Sequence, residues 1–319
     1  FPELSRETFL GLPGLLADSL PDKFGNALID AWLAAQGRAP QSFNAVERLC
    51  YTGERGMGAL EFAPAIGPRA RQANRIAVDQ LVALASEVLT HRNDLQASVS
   101  GNRDKELEDP RGYGLIEYAY YLMARACGIE ISECRLFEEN GRRHFMTRRF
   151  DRLAGGEKLH MQSLCALAHF DFNLAGAHSY EQALLVMRRL QLPMQAIEQQ
   201  FRRIVARNQD DHVKNIAFLM DKAGNWSLSP AFDVTYSFNP QGAWTASHQM
   251  SMNGKREGFV LEDFQACARS VSMKRGRAQA IIAEVQKVVS QWREYAQEAG
   301  VSDNVSEKIQ RTLLLTPFT

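Results

Sequence analysis

Residues 207–236 constrain this chain most, because they place a dense group of polar side chains directly before two short apolar runs. The polar group is the sequence NQDDHVKN at residues 208–215. The apolar runs, around residues 216–220 and 226–228, are separated by turn-forming residues, which predicts a β-hairpin. Asp233 follows the second run, so acids and an amide flank the hairpin. Such oxygen ligands suit a divalent metal ion next to a phosphate chain.

The spacing of these residues favours phosphoryl transfer. Asn215 follows Asp210 by five positions, and Asp233 follows Asn215 by 18. In this chemistry an acid orients the acceptor hydroxyl, while an amide and a second acid hold Mg²⁺. The spacing matches the catalytic loop H-R-D-x-x-x-x-N of protein kinases and the acid of their D-F-G motif. The letters differ, since Asn-Gln replaces His-Arg and Val234-Thr235 replaces Phe-Gly.

Two other interpretations of the polar group are weaker. A two-metal hydrolase could use Asp210, Asp211 and His212, but it needs further His and Asp ligands. None of the seven histidines pairs with His212 in a His-x-His or His-x-x-x-His spacing. A capped turn before a strand explains Asn208 and one aspartate, but not the other polar groups. A kinase-like site is therefore favoured, with Asp211 as a loop-structuring or solvent-facing residue.

The composition is that of a globular protein with more than one lobe. The 319 residues are many for a single core, and the shares of hydrophobic (45%) and charged (23%) residues are ordinary. A formal net charge of zero gives no basic field for nucleic acid. No apolar run is long enough to span a membrane. The five cysteines are scattered without a C-x-x-C pair, which predicts reduced thiols in a cytoplasmic protein.

Hydrophobic periodicity predicts an α+β fold in which strands come mostly before residue 150 and helices dominate after it. A strand hairpin is predicted over residues 129–151. Residues 51–62 contain several glycines without the Gly-Lys-Ser/Thr of a phosphate loop, which predicts a glycine turn leading into a strand at residues 59–62. Helices are predicted from Phe24 to a stop at Gly37 and over residues 78–89, 114–126, 162–168, 180–190, 193–207, 261–270, 274–299 and 306–315.

Four stretches resemble, in order, motifs of the HipA-like toxin kinases of bacterial type II toxin–antitoxin systems. LPGLLADSLPDKFG at residues 12–25 resembles the N-terminal motif, and MTRRFDR at residues 146–152 resembles the hinge that ends the small lobe. NQDDHVKNIAF at residues 208–218 is similar to the catalytic loop, and LSPAFDVTYS at residues 228–237 to the metal-binding segment. The chain is therefore identified as a member of this family.

The resemblance implies a serine/threonine protein kinase that uses Mg²⁺ and ATP. Asp210 would be the catalytic acid that orients the acceptor hydroxyl. Asn215 and Asp233 would be the Mg²⁺ ligands.

The resemblance also implies residues for the nucleotide. His212 would approach the phosphates or the ribose, and Gln162 would face the ribose. Arg148 and Phe150 would present hinge backbone to the adenine. Glu117 is similar to the small-lobe helix glutamate that pairs with the nucleotide-binding lysine; from the residues alone it is either a water-facing edge residue or a buried acid that needs a cation.

The implied architecture is a protein-kinase-like two-lobe fold, with a small mixed N-terminal lobe and a mainly helical C-terminal lobe. The expected parts are an N-terminal subdomain at residues 1–70, a small kinase lobe at residues 71–147 and a helical kinase lobe at residues 148–319. Members of the family phosphorylate an aminoacyl-tRNA synthetase, arrest translation and cause persistence. A helix-turn-helix antitoxin that binds operator DNA neutralises them. The alternatives are a catalytically idle scaffold acting through antitoxin and DNA, and a kinase of a small-molecule hydroxyl.

One departure from the family concerns the phosphate loop. Lys23 and Lys105 are the only lysines before the hinge, and neither follows the V-A-I-K strand pattern that brings a lysine to the phosphates. No glycine-rich loop precedes Glu117 closely. We expect that a segment is missing between Ser100 and Gly101, whose Cα atoms would then be much more than 3.8 Å apart. The alternative is a protein that lacks this loop and cannot bind ATP in the usual way.

Overall fold

A computed structural model describes residues 3–66, 112–139, 142–205, 208–242 and 244–313. The chain divides into two compact units, one formed by Phe1–Gly101 and Asp151–Gln162 and the other by Asn102–Phe150 and Ser163–Thr319. The helix predicted at residues 78–89 and the segment predicted to be missing at residues 100–101 lie outside the described residues.

The described residues of the first segment of the first unit, residues 3–66, form helices and loops. The described helices are α1 (Arg6–Phe9), α2 (Gly14–Ala17), α3 (Lys23–Ala34) and α4 (Ala45–Thr52). Ile29 and Leu33 of α3 pack with Phe43 in a buried cluster. The guanidinium of Arg48 in α4 binds Asn26 Oδ1 at 2.7 Å and Asp30 Oδ1 at 3.2 Å, which fixes α4 against α3.

The glycine turn predicted in residues 51–62 is present, but the strand predicted at residues 59–62 is wrong. A single 3₁₀ turn at Gly53–Arg55 is followed by bends without strand pairing. Asp151 Oδ2 accepts a hydrogen bond of 2.8 Å from Gly58 N, and Arg152 donates to the carbonyls of Gly58 and Gly56 at 3.0 and 2.6 Å. Side chains therefore satisfy the backbone groups that a neighbouring strand would otherwise bind.

The first described elements of the second unit are helix α5 (Tyr113–Ala126) and an antiparallel hairpin, β1 (Cys134–Glu139) and β2 (Arg142–Thr147). In the hairpin register Cys134 lies opposite Thr147. One face of α5 is buried, with Ala119, Tyr120 and Met123 each at most 3% exposed, because the helix packs on the hairpin and on a C-terminal helix. The predicted helix and hairpin are thus confirmed to within a few residues.

The remainder is mainly helical. The elements are β3 (His160–Ser163), α6 (Leu164–Ala168), α7 (Tyr180–Arg189), α8 (Met194–Val205), the antiparallel hairpin β4 (Ala217–Met220) and β5 (Trp226–Leu228), α9 (Leu261–Ser270), α10 (Arg277–Val289), α11 (Trp292–Ala299) and α12 (Asp303–Gln310). Among the described helices, none has the length and apolar character needed to cross a membrane.

Three predicted helices differ in detail. The helix predicted at residues 306–315 spans Asp303–Gln310. Gln162 lies in strand β3 and not in a helix, because the side chain of Ser163 caps α6 by accepting a hydrogen bond from Ala166 N, which starts the helix at Leu164. The helix predicted at residues 274–299 is two helices. The chain turns before Trp292, whose side chain is fully buried and donates from Nε1 to the carbonyl of Ser306 at 2.9 Å.

None of the five cysteines, all of which lie among the described residues, forms a disulfide bond, as predicted. Cys127, Cys134, Cys165 and Cys267 are buried, and Cys50 is partly buried. Burial raises the pKa of the Cys127 thiol to about 11, so this group is neutral and acts as a small apolar side chain.

Candidate active site

The structure brings Asp210, Asn215 and Asp233 together, as the spacing predicted. Asn215 Nδ2 donates to the main-chain carbonyl of Asp210 at 2.7 Å, and Asn215 N donates to the carbonyl of His212 at 2.8 Å, so the loop closes on itself. Asn208 Nδ2 donates to the carbonyl of Asp233 at 3.2 Å. Asn215 therefore closes the loop after α8, and Asn208 joins this loop to the segment after β5.

Asp210 lies among charged groups, and its side chain is partly buried. Burial raises the pKa of its carboxyl above the usual value, and the negative charges of Asp233 and Asp211 raise it as well. His212, with Nε2 3.8 Å from Asp210 Oδ1, lowers it. A raised pKa strengthens a carboxylate as a proton acceptor, which suits the side chain that meets the acceptor hydroxyl.

Glu117 of α5 faces the same site. Burial, and after it the charge of Asp233, raise the pKa of Glu117 to about 7. The Glu117 side chain is partly buried, so of the two interpretations made from the sequence the structure favours the buried acid over the water-facing edge. Among the described residues no lysine or arginine forms an ion pair with Glu117.

Asp233 adopts a backbone conformation with φ of 54°, which is uncommon for a residue other than glycine. Its neighbours Asn208 and Phe232 hold it there, since Asn208 binds its carbonyl and the ring of Phe232 packs on Phe150 at 5.6 Å between centroids. Strained backbone of this kind clusters at functional sites, where surrounding contacts enforce it.

The residues present fit a Mg²⁺ ion held by few protein groups. The carboxyl groups of Glu117, Asp210 and Asp233 interact with one another, with His212 near Asp210, and Asn215 adds an amide oxygen. Buried Asn208 Oδ1 has no hydrogen-bond partner in this part of the chain. The described residues contain no group of three or more His, Cys, Asp or Glu arranged for a metal. Mg²⁺ keeps several waters and needs only one or two carboxylates, so this set is sufficient for it, whereas a two-metal hydrolase would need more ligands.

Asp211 is not solvent-facing, so that alternative from the sequence is wrong. Its side chain is 11% exposed and accepts hydrogen bonds from the Tyr180 hydroxyl, from His248 Nδ1 at 2.7 Å and from Gln249 N at 2.6 Å. The sequence analysis did not single out Tyr180, His248 or Gln249. No local spacing could have found them, because they lie 31, 37 and 38 positions from Asp211.

An aromatic side chain lies beside the loop. The ring of Phe172 is 5.7 Å from the His212 ring, and Lys214 Nζ lies 4.6 Å from the centre of the Phe172 ring. The lysine thus makes a cation–π contact with Phe172, a residue that the sequence analysis also missed.

The residues predicted to hold adenine and ribose fall in different places. Arg148 is exposed, with its backbone N–H bound to the carbonyl of Glu133 at 2.9 Å. Phe150 belongs to the second unit and is partly buried, with its ring against Phe232. Gln162 is buried and belongs to the first unit, as the last residue of the segment Asp151–Gln162. Their roles toward a nucleotide stay predictions.

Comparisons with known proteins identify the family and the fold. Residues 91–292 match the model of the HipA-like C-terminal domain, and residues 3–63 match that of the HipA N-terminal domain. No curated protein sequence matches the chain. A solved chain from Shewanella oneidensis MR-1, of the toxin–antitoxin system HipA, HipB and operator DNA complex, has a TM-score of 0.71 at 14% identity, over 95% of this chain and 83% of that chain.

A second solved structure is less similar. The Helicobacter pylori proinflammatory kinase CtkA has a TM-score of 0.38 at 11% identity, over 64% of this chain and 85% of that chain, which is too low to support an argument. The likeness to the Shewanella protein shows the fold. The predicted α+β, kinase-like two-lobe fold with a mainly helical C-terminal lobe is therefore confirmed.

Proposed function

Since the chain belongs to the HipA-like family, we propose that it is a toxin kinase that transfers phosphate from ATP to a serine or threonine hydroxyl of a protein. One observation carries the proposal: Asn215 is bound to Asp210, and Asn208 binds Asp233 to the same loop. This is the acid–amide–acid set that phosphoryl transfer requires, assembled in one place.

Each residue of the set has a distinct role. Asp210 orients the acceptor hydroxyl and accepts its proton, for which its raised pKa is suitable. Asn215 and Asp233 would hold Mg²⁺, which supplies positive charge against the phosphate oxygens. His212, close to Asp210, would contact the phosphates or the ribose.

The remaining nucleotide contacts extend the proposal to the hinge and to α5. Arg148 and Phe150 offer backbone groups to adenine, and Gln162 offers its amide to the ribose. Glu117 binds the cation that its buried position requires, a lysine in the family pattern. The chain is proposed to consist of an N-terminal subdomain (1–70), a small kinase lobe (71–147) and a helical kinase lobe (148–319).

The proposed partners follow from the relative with the same fold. The Shewanella protein was solved with HipB and operator DNA. We therefore infer that this protein binds a helix-turn-helix antitoxin, and operator DNA through that complex. The proposed substrate is a translation component such as an aminoacyl-tRNA synthetase, and the proposed location is the cytoplasm.

The experiment that tests this function compares Asp210→Asn with the wild-type full-length protein. Transfer of labelled γ-phosphate from ATP to proteins of a bacterial lysate is measured with Mg²⁺ present. Asp210→Asn is expected to lower transfer by about 10²- to 10⁴-fold without a change in melting temperature. Asp221→Asn, an exposed acid in the turn between β4 and β5, is the matched control and keeps full transfer.

The outcomes separate the alternatives. Undiminished transfer by Asp210→Asn would rule out its catalytic role. An absence of Mg·ATP binding by the wild-type protein would favour the idle scaffold, which the lack of a cation at Glu117 among the described residues supports. Labelling of small molecules but of no protein would favour a kinase of small-molecule hydroxyls.

A further inference from the structure

The carboxylate of Asp211 attaches the catalytic loop to residues outside the loop, at the position next to Asp210. It accepts three hydrogen bonds, from the Tyr180 hydroxyl, from His248 Nδ1 and from Gln249 N. No other residue separates it from Asp210 in the chain. The orientation of the Asp210 backbone therefore depends on how firmly Asp211 is held.

The three donors belong to one rigid assembly. Tyr180 N donates to the carbonyl of Ser251 at 2.8 Å, Ser251 N donates to the carbonyl of His178 at 2.9 Å, and Gly176 N donates to the carbonyl of Gln249 at 2.8 Å. These bonds join the start of α7 to residues 248–251. Three donors fixed relative to one another define both the position and the direction of a bound carboxylate.

His248 is itself held on several sides. Its backbone N–H binds the carbonyl of Arg256 at 3.0 Å, and Arg256 Nε binds the carbonyl of His248 at 2.7 Å. Its ring lies 4.9 Å from the ring of Phe259, and its side chain is 4% exposed. The imidazole thus has little freedom to leave Asp211.

The protonation states agree with this geometry. Burial raises the pKa of Asp211, but His248, Tyr180 and Gln249 outweigh burial and leave it below the usual value, so the carboxylate is ionised. Burial, followed by the charge of Asp211, raises the pKa of Tyr180 well above its usual value, so its hydroxyl stays protonated. An ionised carboxylate only accepts, hence Tyr180 and His248 Nδ1 are donors.

We propose that Tyr180 and His248 are positioning residues for phosphoryl transfer, which act through Asp211 to fix the catalytic loop and so aim the Asp210 carboxylate at the acceptor hydroxyl. This inference rests on the proposed kinase function. It assigns no contact with substrate or nucleotide to either residue. On the opposite side of the loop Asn215 holds the Asp210 carbonyl, so Asp210 is fixed from both directions.

The test uses Tyr180→Phe, which removes one hydroxyl, and His248→Leu, which removes the imidazole donor, in the full-length protein. Both are expected to lower kcat by about tenfold or more with KM for ATP unchanged within about twofold, because misplacing a catalytic group by about 1 Å can cost about 100-fold. His248→Asn, whose amide can donate from the position of Nδ1, is expected to restore most of kcat.

The double variant Tyr180→Phe with Asp211→Asn shows whether the effect passes through Asp211. In the Asp211→Asn background, Tyr180→Phe is expected to change kcat by less than about twofold, since coupled groups are not additive. Lys255→Met is the matched control. It breaks the bond of 2.8 Å to Asp263 in the same segment without touching Asp211, so it is expected to keep kcat.

The outcomes are distinct. A wild-type kcat in Tyr180→Phe and His248→Leu, with phosphate transfer present, would overturn the positioning role alone. If Lys255→Met lost as much kcat as Tyr180→Phe and His248→Leu, the effect would be purely structural. That result would also overturn the positioning role. No transfer by the wild-type protein would overturn the proposed function and this inference together. If Asp211→Asn does not fold, the contrast between His248→Leu and His248→Asn still decides the matter.

Discussion

The side-chain amide of Asn215 donates a hydrogen bond of 2.7 Å to the main-chain carbonyl of Asp210. Because the amide nitrogen is committed to this bond, the amide oxygen is the atom that Asn215 can offer to a cation. One side chain therefore closes the loop and also supplies a metal ligand. The two roles can be separated by substitution.

Asn215→Asp is expected to keep a ligand oxygen but to lose the donor to Asp210. We expect kcat to fall by about 10- to 100-fold while the Mg²⁺ concentration for half-maximal activity stays the same or decreases, because carboxylate is a stronger Mg²⁺ ligand than amide. Kinetics over a Mg²⁺ titration measure both quantities. Asn225→Asp, in the exposed β4–β5 turn, is the matched control. An unchanged kcat in Asn215→Asp would show that the hydrogen bond from Asn215 to the Asp210 carbonyl is not needed for catalysis.

Glu117→Gln is expected to remove a pH dependence of stability. The folded chain holds the proton of Glu117 up to a pKa of about 7, whereas the unfolded chain releases it near 4.5. Between these values the unfolded state binds fewer protons, so the free energy of unfolding falls as pH rises. The total loss above pH 7 is about 3 kcal/mol.

Urea unfolding without Mg²⁺ tests this prediction. At pH 8 Glu117→Gln is expected to be more stable than the wild-type protein, by up to about 3 kcal/mol, and near pH 4 the two are expected to be equally stable. The same dependence on pH in both proteins would show that Glu117 is ionised in the folded state, paired with a cation.

The contact between Phe150 and Phe232 is expected to contribute to the free energy of unfolding. It joins the end of the hinge motif to the segment that carries Asp233. Their ring centroids are 5.6 Å apart at an interplanar angle of 43°. A double-mutant cycle with Phe150→Leu and Phe232→Leu is expected to give a coupling of about 0.5–1.5 kcal/mol in the free energy of unfolding. Strictly additive effects would indicate that the two rings do not interact.

Gly58→Ala is expected to destabilise the first unit much more than Gly11→Ala. Both glycines have positive φ, 75° and 78°. A methyl group at Gly58 would lie 2.9 Å from the backbone nitrogen of Met161, whereas nothing lies within 4 Å of one at Gly11. We expect a cost of about 1 kcal/mol at Gly11 from backbone conformation and about 1–3 kcal/mol more at Gly58 from overpacking. Thermal unfolding measures the difference, and equal costs would contradict the close packing.

Most secondary structure could be predicted from the sequence where the periodicity is long. The helix predicted at residues 261–270 has the bounds Leu261–Ser270, and the hairpin after the catalytic loop is present. The errors occurred where side chains from distant positions decide the local structure. Asp151 and Arg152 bind the backbone of Gly58 and Gly56, just before residues 59–62, where no strand forms, and the buried Trp292 interrupts a long helix.

The sequence by itself determined the acid–amide–acid spacing of Asp210, Asn215 and Asp233 and the elements that carry it, because spacing and periodicity are local properties. Only the tertiary structure decided that Glu117 lies close enough to Asp233 for their charges to interact, and that Tyr180 and His248 hold Asp211. Burial and hydrogen-bond partners depend on which remote segments the fold brings together, and no pattern of neighbouring residues specifies that. The loop residues were thus visible in the sequence, whereas the side chains that orient them were not.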